Sequence, residues 1–285
     1  MPDDVDTEKV WSGMNKGKDN CMIPILANKY YRKPSVFDPA NLLKQARRQK
    51  SLSSGSVPEI CVLDPDGDLS SYIRDSSVGK RNPYWACYHT DLYDIGIEGL
   101  SVGVIGRAVG ASFAVLVAEE LFASGCRLLI SITSAGQIKT VHKPPYFILI
   151  DRALRDEGTS YHYVQKSAYA FIHPGILAML NGIVKKKPLV IQGSVWTTDA
   201  PFRETEEAIS FARSENLLAV EMEAAALYAF AQARKKKVVC FAHVTNQMGM
   251  IDKDFEKGKD NGNAVLFQLI SNIIREWKRP LKVFV

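Results

Sequence analysis

Two carboxylates, Glu221 and Glu223, flank Met222 in AVEMEAAALYAFA (219–231), a segment that runs directly into an alanine-rich apolar stretch. Carboxylates beside an apolar helix are costly to bury without partners. One placed there can accept two hydrogen bonds from adjacent hydroxyls of a sugar, with Met222 covering the sugar's apolar face; its competing use is as an acidic group at a helix N-terminus. Two other segments offer anion chemistry. In LDPDGDL (63–69) three aspartates surround Gly67, and a glycine turn after a strand can aim successive N–H groups at an anion. The same residues also read as an Asp-rich turn capping the next helix. In GRAVGASFAVLVAEEL (106–121) glycines open a helix and Arg107 adds a full positive charge. Gly106 and Gly110 do not make GxGxxG, so the turn gives a dinucleotide site little support. SITSAGQI (131–138) supplies small residues that leave room for a ligand, with Thr133 and Ser134 as hydroxyl donors.

Most of these segments lie at the ends of short apolar runs. Six runs stand out: EICVLD (59–64), LSVGVIG (100–106), RLLISIT (127–133), YFILID (146–151), LVIQGSV (189–195) and VVCFAHVT (238–245). Near-continuous apolar runs of this length suit strands buried on both faces. Helical stretches lie among them at 111–124, 175–185, 204–213, 222–236 and 264–278. The alternation predicts right-handed crossovers and a three-layer α/β fold with ligands outside the carboxyl ends of the strands. Residues 1–57 read as a polar N-terminal arm with one helix over 39–50, and residues 58–285 as the single domain that carries the chemistry.

The 285 residues are 46% hydrophobic and 24% charged, which excludes a disordered chain. No run of about 18 apolar residues and no apolar leader is present, which leads us to expect a protein of the cytoplasm with no membrane partner. Five cysteines, far apart and odd in number, read as buried thiols of a reducing compartment rather than a disulfide framework or metal site. The net charge of +5 comes largely from Lys185–Lys187 and Lys235–Lys237 at apparent helix ends, which weighs against a nucleic-acid partner.

Together, VEMEAAALYAFA, GRAVGASFAVLVAEEL, ISITSAGQI, LDPDGDL and HVTN (243–246) resemble the purine nucleoside and uridine phosphorylase family, from about Glu59 to near the C-terminus. VEMEAA is the most specific of these signatures, and GTSYHY (158–163) and TTDAPFRET (197–205) look most like the uridine-phosphorylase branch. The resemblance implies a central twisted mixed β-sheet covered by helices and assembly into a homo-oligomer, a dimer or hexamer. It implies cleavage of the N-glycosidic bond of a nucleoside with phosphate as co-substrate and no metal or organic cofactor. By the same resemblance Glu223 matches the carboxylate that holds the ribose 2′ and 3′ hydroxyls, and Met222 the methionine beneath the sugar. Tyr163 matches the aromatic that stacks on the base, and Asp199 with Arg203 falls beside the base pocket. Asn246 stands where bacterial purine phosphorylases carry a proton-donating aspartate; its amide suits a 6-oxopurine or a pyrimidine. Gly67 matches the glycine whose backbone meets phosphate, and Ser134 the hydroxyl donor at the same anion.

Two departures bear on the nucleophile. Ser71 and Ser131 occupy positions where the family's phosphorylases carry arginines, and Arg107 is the best-placed substitute, ahead of Arg74 and Arg81. The related nucleosidases lack those arginines but need an acidic residue to activate water, and Ser71 stands at that position too. Phosphorolysis is the first expectation; hydrolysis, or nucleoside binding without cleavage, are the alternatives.

Overall fold

The computed structural model describes residues 23–184, 186–248, 254, 255, 257 and 259–279; Cys21, Lys185 and the first 22 residues of the arm lie outside them. Ten strands make one mixed sheet among these residues: β1 (Ile60–Asp64), β2 (Lys80–Arg81), β3 (Tyr93–Ile97), β4 (Leu100–Gly106), β5 (Leu128–Gln137), β6 (Tyr146–Asp156), β7 (Tyr169–Phe171), β8 (Val190–Thr198), β9 (Ala219–Glu221) and β10 (Val238–Asn246). The helices are α1 (Pro39–Lys50), α2 (Asp68–Asp75), α3 (Ala111–Ala123), α4 (Pro174–Leu180), α5 (Glu206–Ser214), α6 (Ala224–Arg234) and α7 (Asn263–Lys278).

The six apolar runs become β1, β4, β5, β6, β8 and β10, and the buried character of each explains its place. β1, buried at every residue, lies parallel between β4 and β5. β5 then pairs in parallel with β10, β10 antiparallel with β6, β6 in parallel with β8, and β8 in parallel with β9. β9 returns antiparallel to the end of β5 through Gly136–Val220 and Gln137–Ala219, so these five strands close on themselves. On the other side the sheet runs out through β4, β3 and β2.

Helix α6 explains why VEMEAAALYAFA is so apolar. Ala224 through Ala231 are all buried, because the helix is enclosed by α3, β6, β7 and β10 rather than lying on the surface. The Tyr228 hydroxyl donates to Ile150 O at 2.7 Å and accepts from Cys240 N at 3.1 Å. It thereby satisfies a carbonyl at the register shift of β6 between Ile150 and Arg152.

Several boundaries differ from those read in the sequence. β5 continues to Gln137, so Ser134 and Gly136 are strand residues and not the loop after one. β6 continues to Asp156, and the two-residue turn Glu98–Gly99, both with positive φ, joins β3 to β4 as a hairpin. The helix expected from Gly175 stops at Leu180 and tightens into a 3-10 turn at Asn181–Ile183. The helix expected from Glu204 starts at Glu206, because the Thr205 side chain accepts from Ala208 N. In the arm, α1 is capped by Asp38 and buries Leu43 and Ala46 against Ala86 in a small cluster of its own. The four described cysteines are buried and unpaired. No helix among the described residues is long and apolar enough to cross a membrane.

Candidate active site

Strand β9 ends at Glu221 and α6 begins at Ala224, so Glu221, Met222 and Glu223 form the strand-to-helix corner. The two glutamates have different surroundings. Glu221 accepts from the Thr197 hydroxyl and from the N–H groups of Glu223 and Ala224, both at 2.8 Å, so it closes the helix N-terminus. Glu223 is 1% exposed; its Oε1 accepts from Gly110 N at 2.7 Å, and its Oε2 has no partner among the described residues. Burial, followed by the charge of Glu221, pushes Glu223 well above the usual carboxylate range, while the Gly110 N–H and the nearby Thr133 hydroxyl pull the other way. A buried carboxyl with one oxygen held and one free is poised to meet a donor from a ligand. Met222 beside it is half-buried.

The aspartate turn stands next to it, close enough for the Asp66 charge to act on Glu223. Gly67 has φ +85°, and a side chain there would meet Arg107 Cγ at 2.7 Å, so the turn and the Arg107 stem are packed together. Arg107 Nη2 donates to Ser71 Oγ at 3.3 Å, and its backbone N–H donates to Asp64 O at 3.0 Å. Asp64 is buried and accepts from Ser70 N at 2.9 Å, which makes it a cap for α2; burial raises it to about 6. Gly67, Arg107 and Ser134 are thus brought around one turn. Ser134, however, is already engaged: its N–H, at 3.0 Å, and its hydroxyl both donate to Asp66 Oδ2. Lys257 Nζ is bonded to the same oxygen at 2.9 Å and to Asp68 Oδ2 at 2.5 Å.

The residues assigned to the base are dispersed. Asn246, at the end of β10, donates to Ala135 O and Thr245 Oγ1 at 3.4 Å, and its Oδ1 accepts from Met248 N at 2.9 Å. Asp199 is exposed and accepts from Gly158 N at 2.8 Å, tying the ends of β6 and β8 together instead of capping a helix. Tyr163 is not brought to Glu223. Its hydroxyl donates to Glu119 Oε1 at 3.1 Å and its ring stands edge-on to Phe230. Glu119 lies nine residues beyond Gly110 and Phe230 seven beyond Glu223, which places the ring about 10 Å or more along both helices. The Tyr163 ring is thus packed on Glu119 and Phe230, apart from Glu223.

Sequence reasoning passed over Glu157 and Lys257. Glu157, just past β6, is 5% exposed, accepts from Ser160 N through Oε2, has an unpartnered Oε1, and its charge acts on Glu221. Its position directly after a strand was the available signal. Lys257 carried none, being one of several lysines in DKDFEKGKD (252–260). A cavity of about 850 Å³ lies elsewhere, between Phe171–Met179 and the C-terminal ends of α6 and α7, and none of the residues above lines it.

A half-free carboxyl at a helix corner, next to an aspartate and glycine turn carrying two cations, defines a site built for a hydroxyl-rich ligand together with an anion. The chain belongs to the phosphorylase superfamily, whose family model matches residues 68–275. Guanosine phosphorylase of Halorubrum lacusprofundi is 24% identical over 223 residues, covering 74% of this chain and 90% of that protein. Uridine phosphorylase from Vibrio fischeri ES114 shares the fold with a TM-score of 0.66 at 16% identity, over 78% of this chain and 93% of that one. AMP nucleosidase from Bacteroides thetaiotaomicron does so with a TM-score of 0.60 at 20% identity, over 78% and 92%.

Proposed function

We propose that this protein cleaves the N-glycosidic bond of a nucleoside by phosphorolysis, giving the free base and a pentose 1-phosphate. The observation that carries this reading is the buried Glu223 carboxyl, with Oε1 on Gly110 N and Oε2 free, beside the anion-competent turn. The free oxygen accepts from the sugar hydroxyls. As the C1′–N bond lengthens, positive charge develops on the sugar and negative charge on the base; Glu223, held by Gly110 N, keeps the sugar hydroxyls oriented through that change. A hydrogen phosphate oxygen then forms the C1′–O bond as the C1′–N bond breaks, and the proton that the phosphate gives up goes to the departing base. Gly67, Arg107 and Ser134 hold the phosphate, Met222 lies under the sugar, and Asn246 faces the base. The names of the relatives, a guanosine phosphorylase and a uridine phosphorylase fold, support a nucleoside as substrate.

One observation favours a second reading. Asp66 already occupies the Ser134 donors, and a carboxylate at that place can take a proton from water, which makes hydrolysis to free pentose the competing outcome. Phosphorus NMR of a reaction with inosine, guanosine or uridine separates the two: a pentose 1-phosphate signal growing with free base supports phosphorolysis, and free base without it supports hydrolysis.

Exposed Tyr30, Phe37, Phe202 and Phe211 support assembly into a homo-oligomer, a dimer or hexamer, which light scattering measures directly. The buried, unpaired cysteines support a reducing cytoplasm.

A further inference from the structure

Resting on the phosphorolytic reading, we propose that Lys257 is the cation that takes up the anionic co-substrate, and that Asp66 is a resident carboxylate that the co-substrate displaces.

Asp66 Oδ2 collects three donors of three kinds: the Ser134 backbone N–H at 3.0 Å, the Ser134 hydroxyl, and the Lys257 ammonium at 2.9 Å. A backbone N–H, a hydroxyl and an ammonium converging on one point is what a phosphate oxygen requires, and here a side-chain carboxylate fills it. Neither Ser71 nor Ser131 supplies an arginine to this turn, and the Ser131 hydroxyl is itself buried without a partner. Arg107 reaches the turn from the Gly67 and Ser71 side and Lys257 from the Asp66 and Asp68 side. The Lys257 side chain is 19% exposed, whereas Arg107 is an exposed residue. Burial works against its charge, but Asp66 and Asp68 outweigh it and keep the ammonium protonated.

Exchange follows from charge and from space. A dianion and the Asp66 carboxylate repel each other at the same three donors, so one replaces the other. The cavity beside them, lined by Asp64, Asp66, Asp68, Thr133, His243 and Lys257, has about 10 Å³, room for about one water and not for a phosphate while Asp66 stays in place. When Asp66 turns away, Lys257 keeps its bond to Asp68 and remains in position. A tethered carboxylate lowers the apparent affinity of every anion by the fraction of sites it occupies.

The test is isothermal titration of inorganic phosphate into the full-length protein without nucleoside. Asp66→Asn binds phosphate at least fivefold more tightly than the parent. Lys257→Met binds it at least tenfold more weakly, and Lys257→Arg, which keeps the charge, stays within threefold of the parent. Asp68→Asn, which also takes a carboxylate from Lys257 but leaves the Ser134 donors occupied, gains less than Asp66→Asn. Equal gains in the two asparagine variants, no gain in Asp66→Asn, or unchanged binding in Lys257→Met each overturn the proposal, as does absence of phosphate binding in both parent and Asp66→Asn. Base release is followed in parallel. Release that needs no phosphate removes the reading on which this proposal rests; phosphate-dependent release with unaltered binding in Lys257→Met removes this proposal alone.

Discussion

Glu221 and Glu223 show how far residue type alone can be read. The motif VEME marks both as expensive to bury, and nothing in it says which one serves the fold. Three-dimensional partners decide: Thr197 and two N–H groups consume Glu221, and a single N–H from 113 residues away leaves Glu223 half free. Long-range partners of this kind are invisible in a local pattern, which is also why Glu157, Lys257 and the contact of Tyr163 with Glu119 are not legible in the sequence. Asp64 gives a prediction at this scale. Its carboxyl is raised from 3.8 to about 6, chiefly by burial. A carboxyl raised in the native state contributes its stability fully below pH about 4 and loses it as pH rises through about 6. Asp64→Asn, a permanent mimic of the protonated form, is therefore more stable relative to the parent at pH 7 than at pH 4. The gain across that interval is up to about 3 kcal/mol, read from urea unfolding at the two pH values. A parent protein that loses no stability against the variant over that interval contradicts the assigned burial.

Among the elements, the apolar runs were the legible part because strands buried on both faces leave a continuous hydrophobic record. β1, β4, β5, β6, β8 and β10 appear within a few residues of where the sequence puts them. The outer strands on the open side of the sheet leave no such record: β3 mixes half-buried, buried and exposed residues, and β2 is exposed throughout. The turn before α3 was legible as glycine-rich, but its purpose was not. Gly110 has φ +87° and ψ 151°, a conformation essentially reserved for glycine, and it is this geometry that turns the N–H onto Glu223. A Cβ at Gly110 meets nothing within 4 Å, so any effect of Gly110→Ala comes from the backbone and not from a clash. The variant loses about 1–3 kcal/mol of stability and loses nucleoside binding with it. Calorimetric titration of the variant with a nucleoside checks this, and parent-like affinity would separate Gly110 from the sugar site.

For the molecule as a whole, closure of β10, β6, β8, β9 and β5 into a ring sets the distances within the site, because Glu221, Thr197, Ser134 and Asn246 come from four of its strands. The sequence announced an α/β sheet but not its closure, which depends on β9, three residues long, and on a register shift in β6. Tyr228 bridges that shift to β10 from inside α6. Tyr228→Phe leaves a buried carbonyl and a buried N–H without the hydroxyl and destabilises the protein by about 1–3 kcal/mol, measurable by chemical denaturation. The deciding experiment is base release from inosine, guanosine, adenosine, uridine and thymidine, using phosphate-free protein with and without added phosphate, for the parent and for Glu223→Gln. The parent releases base only when phosphate is present, and Glu223→Gln lowers kcat/KM by about 100-fold or more. Release that ignores phosphate, or that survives intact in Glu223→Gln, contradicts the account.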